Sequence, residues 1–374
     1  MKKITRALTF LLILTMLLSL VSCKKDKDDE PDDYVWNVYS YENLGEFLTL
    51  PDYKGYSVSR GYIDEEINLI LAALFDDQNL YVNVTNGRAA NKWDRVKIEF
   101  SSVTVGDKTV FPVPQGQNGA EGGDETQPVN NTFTFTIGTG IVISNINDAV
   151  IGMTLNSEKE ITFTFPTDYA ANTEYAGKEA TFKFKLTALQ EPPELTDDLC
   201  YRYTTYINPE VMRKMFEQEI LYSHFWDQIY DNSVLIKTPE KEFNDYYNAF
   251  VDPIKEYAKS NNKTLEQYIA TDGKNHPSMG LYDGITIDEF YKLAKDYATE
   301  NVKNDLILHS LIRAEGLQTS GPLYQAAQKE LLLSYGVGYT IDSLIEKHGR
   351  DQIVTSIMDI QVRKQVLKYV TITE

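Results

Sequence analysis

Val96-Lys97-Ile98-Glu99-Phe100 alternates apolar and polar side chains, and the same beat returns three times. It recurs in Phe133-Thr134-Phe135-Thr136-Ile137, in Ile161-Thr162-Phe163-Thr164-Phe165 and in Phe182-Lys183-Phe184-Lys185-Leu186. Successive side chains of a strand point to opposite faces, so each run predicts a strand with one buried and one wet face. Four half-buried strands predict an antiparallel sheet. Ile141 to Met153, between the second and third runs, is long enough for one short helix. A helix packed on one face of a twisted antiparallel sheet is an α+β arrangement, expected here over residues 89–192. The stretch Pro112 to Asn131 interrupts the beat with Gly116, Gly119, Gly122, Gly123, Glu121, Asp124 and Glu125. It reads as a flexible loop; its acidic residues lack the order of a calcium-binding EF-hand loop.

Before the sheet, residues 50–88 read as a strand-helix linker. Tyr53 to Val58 predicts a short strand, and Asp64 is placed to cap a helix carrying Ile67, Ile70, Leu71 and Leu74 at helical spacing. Leu80 to Val84 alternates again and predicts a strand. After the sheet, residues 193–374 read as nearly all helical. Asn208-Pro209 starts a helix reaching about Asp231, and Pro239 sits at the first helical position of the next, where no amide is missed. Thr286-Ile287-Asp288-Glu289 is a capping box, Gly316 ends that helix, Thr340 caps a helix stopped at Gly349, and a last helix is expected from Asp351 to Val370.

The N-terminus has a different logic. Lys2, Lys3 and Arg6 precede an apolar run from Leu8 to Leu20, which leads into Leu20-Val21-Ser22-Cys23. Positive, apolar, then small residues is the order of a secretory signal. The run is short for a membrane span of roughly 20 residues. The cysteine gives the expectation of a lipoprotein: residues 1–23 are signal peptide and lipobox, with lipid carried on Cys23. Residues 24–49 begin as a charged stretch with no apolar side chain up to Asp33. Such a stretch buries too little to fold and reads as a flexible tether. The chain is therefore expected to be extracytoplasmic and lipid-anchored to a membrane of the cell envelope.

A net charge of −19 and a pI near 4.7 argue against nucleic acid as a partner, because phosphate neutralisation needs Lys and Arg. The same charge argues against docking on ribosomal RNA. With Cys23 lipidated, Cys200 stands alone and no intramolecular disulfide forms. His224, His276, His309 and His348 are scattered, with no spacing that suggests a zinc site, a Ser-His-Asp set or a Cys-His pair. No metal and no cofactor is expected.

The order of these segments resembles trigger factor, the bacterial folding chaperone, without its ribosome-binding domain. The middle region resembles an FKBP-type peptidyl-prolyl isomerase domain. The residues that carry the likeness are Trp93 to Phe100, Phe135-Thr136-Ile137-Gly138-Thr139-Gly140, Ile151-Gly152-Met153, Phe163 to Tyr169 and Ala176 to Ala180. Pro193-Glu194-Leu195-Thr196-Asp197 resembles the family's exit into its helical chaperone domain, within which Asn262 to Tyr268 and Ile312 to Leu317 fit the pattern. The fold implied is α+β: an FKBP-like antiparallel sheet wrapped on a short helix, followed by an all-α trigger-factor-type chaperone domain.

Isomerising an X-Pro bond needs no acid or base. The barrier of roughly 18–20 kcal/mol comes from amide resonance, and an enzyme lowers it by binding the twisted amide better than the planar one. The less polar twisted amide prefers a dry site, so the residues to seek are apolar walls. By the resemblance, Phe100, Phe111, Phe133, Val142, Ile143 and Phe184 fall on wall positions, and the family's aromatic floor falls on Ile146. The glycine before that floor falls on Asn145, a carboxylate position falls on Pro112, and a tyrosine position falls on Ala171. Taken with the lipobox, the resemblance gives the expectation of a membrane-tethered, extracytoplasmic folding factor, a peptidyl-prolyl cis-trans isomerase and/or chaperone for exported proteins. Its partners would be unfolded or partly folded exported polypeptides and their X-Pro segments, with no ribosome involved. Two other readings stay open: an isomerase-inactive holdase, favoured by the departures at Ile146, Pro112 and Ala171, and a surface binding lipoprotein that reuses the fold.

Overall fold

The computed structural model describes residues 41, 43–111, 131–169, 172–204, 206–336 and 338–374. The lipobox with Cys23, the tether up to residue 40, the loop 112–130 with Pro112, and Ala171 lie outside the described residues. The chain packs as two compact units. One spans Arg60–Glu217, and the other joins the segment ending at Ser59 to Gln218–Glu374.

In chain order the elements begin with two short strands, β1 (Leu48–Thr49) and β2 (Ser57–Ser59), before helix α1 (Arg60–Asp77). The helix starts one turn earlier than the Asp64 cap predicts. Ile63, Ile67, Leu71 and Phe75 form its buried face at four-residue spacing, and Ile63, fully buried, carries that face upstream of Asp64. The predicted strand over Tyr53–Val58 contracts to β2, because residues 54–55 form a turn with Gly55 at φ +91.

The sheet of the first unit is antiparallel. It contains β3 (Val82–Asn83), β4 (Arg95–Val105), β5 (Lys108–Phe111), β6 (Thr132–Thr136), β7 (Glu158–Thr164) and β8 (Glu179–Glu191). Strands β4 and β8 are its long central pair; β5 and β6 flank β4, and β3 and β7 flank β8. The four alternating runs fall on strands, with Ile137 and Phe165 one residue past the ends of β6 and β7, and β5 is the strand of this sheet that the alternation did not announce. Helix α2 (Ser144–Val150) lies where one short helix was expected and buries Ile146, Ala149 and Val150. These pack with Val96, Ile98, Phe135, Phe184 and Leu186 from the inner sheet face.

The remainder is helical: α3 (Asp197–Tyr203) and α4 (Pro209–Asn232), then, after the short β9 (Val234–Leu235), α5 (Glu240–Ser260) and α6 (Leu265–Asp272). Helices α7 (Ile287–Ala314), α8 (Gly321–Tyr335), α9 (Ile341–His348) and α10 (Arg350–Val366) follow, and β10 (Thr371–Thr373) comes last. Capping boxes at Thr264, Thr286 and Thr340 start three of them. Pro239 is the cap residue of α5 and not its first helical residue. Helix α10 stops at Val366 and not at Val370. A turn follows, and the alternating Thr371-Ile372-Thr373 pairs in parallel with Ser57–Ser59. In the second unit β1 pairs with β9. Its main core gathers Leu48, Tyr53, Phe225, Leu306, Leu311, Met358 and Val362, so the segment before α1 is built into the helical unit.

Candidate functional site

Five of the predicted wall and floor residues come together in the first unit. Phe100 on β4, Phe184 on β8, Ile146 on α2, and Val142 and Ile143 on the approach to α2 share one apolar cluster. Their depths differ. Phe184 is 0% and Ile146 5% exposed, whereas Phe100, Val142 and Ile143 are half-buried. Phe184 therefore supports the site from beneath and has no face to offer a ligand. Phe133 is 41% exposed, stands opposite Ile98 on the core face of β6, and has its ring 6.0 Å from Phe135. Phe111, at the end of β5, pairs with Val103 and shares an open depression of about 410 Å³ with Phe100. That depression is walled by Glu99, Ser101, Asn131, Glu158 and Lys185, so it is polar where an X-Pro site must be dry.

The accessible aromatic ring of β8 is Phe182. It packs in two apolar clusters of the unit, as does Ile143, so the two mark the seam between those clusters. Phe182 stacks on Phe163 at 5.4 Å and meets Phe100 edge-on at 5.8 Å. The aromatic contacts continue from Phe163 to Phe165 at 5.1 Å, and from Phe165 to Tyr169 at 4.7 Å and Tyr175 at 5.6 Å. Offset and edge-on rings at these separations add attraction beyond area burial. Phe182, Phe163 and Ile161 were absent from the sequence-based wall. The signal for them was present in the Phe-x-Phe repeats, since residues of the same parity share one sheet face.

Two side chains fasten α2 to its surroundings. Asn147 Oδ1 accepts the backbone N–H of Gly138 at 2.8 Å. Lys159 Nζ donates to the Ala149 carbonyl at 2.7 Å, which serves one of the last carbonyls that a helix leaves without an internal partner and sets a cation at the negative helix end. Gly138 sits at φ +97 against the turn that carries Lys92 and Trp93, where a Cβ would come within 2.9 Å of Lys92. That turn is braced by the buried Asp94 carboxylate, which accepts from the Asn91 N–H at 2.8 Å and from Arg88 at 2.5 and 2.8 Å. Hydrogen bonding to Asp94, with Glu191 adding to it, pushes the Arg88 guanidinium further up from its ordinary value. Nearby, burial raises the Tyr81 phenol to about 12. Among the described residues no group of His, Cys, Asp and Glu is arranged to hold a metal ion. What the seam can offer chemically is a dry, partly open aromatic and aliphatic surface.

Residues 86–189 match the family model of FKBP-type peptidyl-prolyl cis-trans isomerase. The trigger factor of Caldicellulosiruptor saccharolyticus is 24% identical over 319 residues, covering 81% of this chain and 66% of that protein. That of Bacillus mycoides is 24% identical over 328 residues, covering 85% and 71%. That of Desulforamulus reducens is 25% identical over 281 residues, covering 72% and 59%. The chain thus spans a little under two thirds of the Caldicellulosiruptor relative. A solved structure of the trigger factor chaperone aligns with 86% of this chain and 72% of its own, at 14% identity and a TM-score of 0.30. Residues 86–189 are thus similar to FKBP-type peptidyl-prolyl cis-trans isomerases, and the chain is similar to trigger factors over most of its length.

Proposed function

We propose that this chain is a folding factor of the cell envelope, held to a membrane by lipid on Cys23. Its FKBP-type domain isomerises X-Pro bonds at the seam between Ile143 and Phe182, and its helical unit holds partly unfolded exported polypeptides. The observation that carries the isomerase reading is the convergence of Phe100, Val142, Ile143 and Phe182, all half-buried, in one cluster with the buried Ile146, with Phe163 stacked on Phe182. Such a surface favours the less polar twisted amide over the planar one. Uncatalysed isomerisation takes tens to hundreds of seconds, slow enough to limit the folding of an exported chain. Lipid on Cys23 would concentrate the activity at the membrane where such chains emerge. The positive, apolar and small residues that end at Cys23 support that anchor.

One feature favours a second reading, a holdase without isomerase activity. Ile146 puts a branched aliphatic side chain where the family resemblance expects a flat ring. An NMR exchange assay of a Leu-Pro peptide, run beside suppression of aggregation of a denatured client, separates the two. Catalysis by the intact protein that is lost in Phe182→Ala establishes the isomerase. Aggregation suppressed with no rate effect establishes the holdase, and neither effect overturns both. Membrane tethering is tested separately by metabolic labelling with a fatty acid, where a Cys23→Ser variant that still takes up label removes the anchor from the proposal.

A further inference from the structure

The candidate site is built on two adjoining pieces of backbone, the turn 138–143 and helix α2, joined by backbone bonds from Ile146 and Asn147 to the Ile143 carbonyl at 3.1 Å and, further out, by one side chain. The floor residue Ile146 belongs to α2, a helix of seven residues whose cap residue, Ile143, makes no side-chain capping bond. The walls Val142 and Ile143 belong to the turn that runs from Gly138 to α2. Asn147, next to the floor residue, reaches back and accepts the N–H of Gly138, the residue that opens this turn. Its amide nitrogen donates to Asp148 at 3.2 Å, which fixes the amide so that the oxygen faces Gly138. Gly138 is itself held: Ile137, before it, exchanges backbone hydrogen bonds with Trp93 and Asp94 at 2.9 Å each.

We propose that Asn147 is a positioning residue of the isomerase site, a strut that keeps the wall turn closed against the floor helix. This rests on the isomerase reading above. The far end of the same helix is secured independently, by Lys159 on Ala149 and by paired backbone bonds at 2.8 Å between Ala90 and residues Gly152 and Met153. Loss of the strut leaves the helix in place, with Ile143 still held by the backbone N–H groups of Ile146 and Asn147, and frees the turn from Gly138 to Val142. The consequence is a misplaced wall and not an unfolded domain, and small misplacements of a positioned group are costly to rate.

The test uses the full-length purified protein and a Leu-Pro tetrapeptide. Asn147→Leu, which keeps size and removes the acceptor, is expected to lower kcat/KM by about tenfold. Asn147→Asp, which keeps the acceptor, is expected to recover activity to within about threefold of wild type. Lys159→Met, at the opposite end of α2, is expected to lower the melting temperature and leave kcat/KM unchanged. Exchange of the Gly138 amide, read by NMR, is expected to speed up in Asn147→Leu alone. Equal activity in Asn147→Leu and wild type, or no recovery in Asn147→Asp, would overturn the strut. A wild-type protein without catalysis would sink the isomerase reading instead. The strut would then stand or fall on Gly138 exchange, with unchanged exchange in Asn147→Leu ruling it out.

Discussion

Tyr53 donates its phenol to the carboxylate of Glu315 at 2.5 Å, joining a residue that precedes β2 to the residue that caps the end of α7. The same carboxylate accepts from Tyr369 at 2.7 Å and from Gln365 at 2.9 Å, and Lys54 lies 3.4 Å away. One almost fully buried carboxylate thus gathers three separate stretches of the second unit.

Burial alone would raise the Glu315 pKa. The hydrogen bonds from Tyr53, Tyr369 and Gln365 and the charge of Lys54 outweigh it and hold the carboxyl at about 2. A carboxyl held below its unfolded value near 4.5 contributes stability that is complete above that value and is lost as pH falls toward 2. The contribution is on the order of 3 kcal/mol. Glu315→Gln is expected to unfold at lower denaturant than wild type at pH 7. The difference should shrink as pH falls from 4.5 to 2, when urea melts are compared across that range.

His309, buried on α7, is pushed down to about 4 by burial, with the charge of Arg313 acting in the same direction. The folded protein therefore keeps it neutral, and the unfolded chain binds its proton first. Its contribution to stability is complete above about 6.5 and is lost as pH falls through 4. His309→Gln is expected to flatten the decline of thermal stability between pH 6.5 and 4. An unchanged slope would show that another group titrates there.

Phe182 and Phe184 share one face of β8 and should answer differently to truncation. Phe184→Ala empties a fully buried position and is expected to destabilise the first unit by about 3–5 kcal/mol. Phe182→Ala removes a half-buried ring and is expected to cost less stability while abolishing binding of a Leu-Pro peptide. Chemical denaturation and peptide titration by NMR check the pair.

Those two rings also show how far the sequence could be read. Alternation placed Phe100, Phe182 and Phe184 on the inner face, because period two fixes the face. It could not say where along the strand the core gives way to the seam, because that depends on α2 covering Phe184 and leaving Phe182 half open. The capping boxes at Thr286 and Thr340 were legible because their chemistry is local. Strands β9 and β10 were not: each is two or three residues long and owes its existence to a partner far away in sequence. The start of α1 was misread for a related reason. Asp64 had the right residue type for a cap, but the buried face reached back to Ile63.

The parallel pairing of Ser57–Ser59 with Thr371–Thr373 sets an order of assembly. Everything from Arg60 to Glu217 lies between these strands in the chain and makes its own core, so it can become native while its host is still half-made. The host has no such freedom. Leu48, Tyr53 and Val58 emerge early and must wait, apolar and unmatched, for α7, α10 and β10 to be delivered. By this topology the helical unit spends the longest time as an incomplete fold, its first apolar side chains kept waiting for the last residues of the chain.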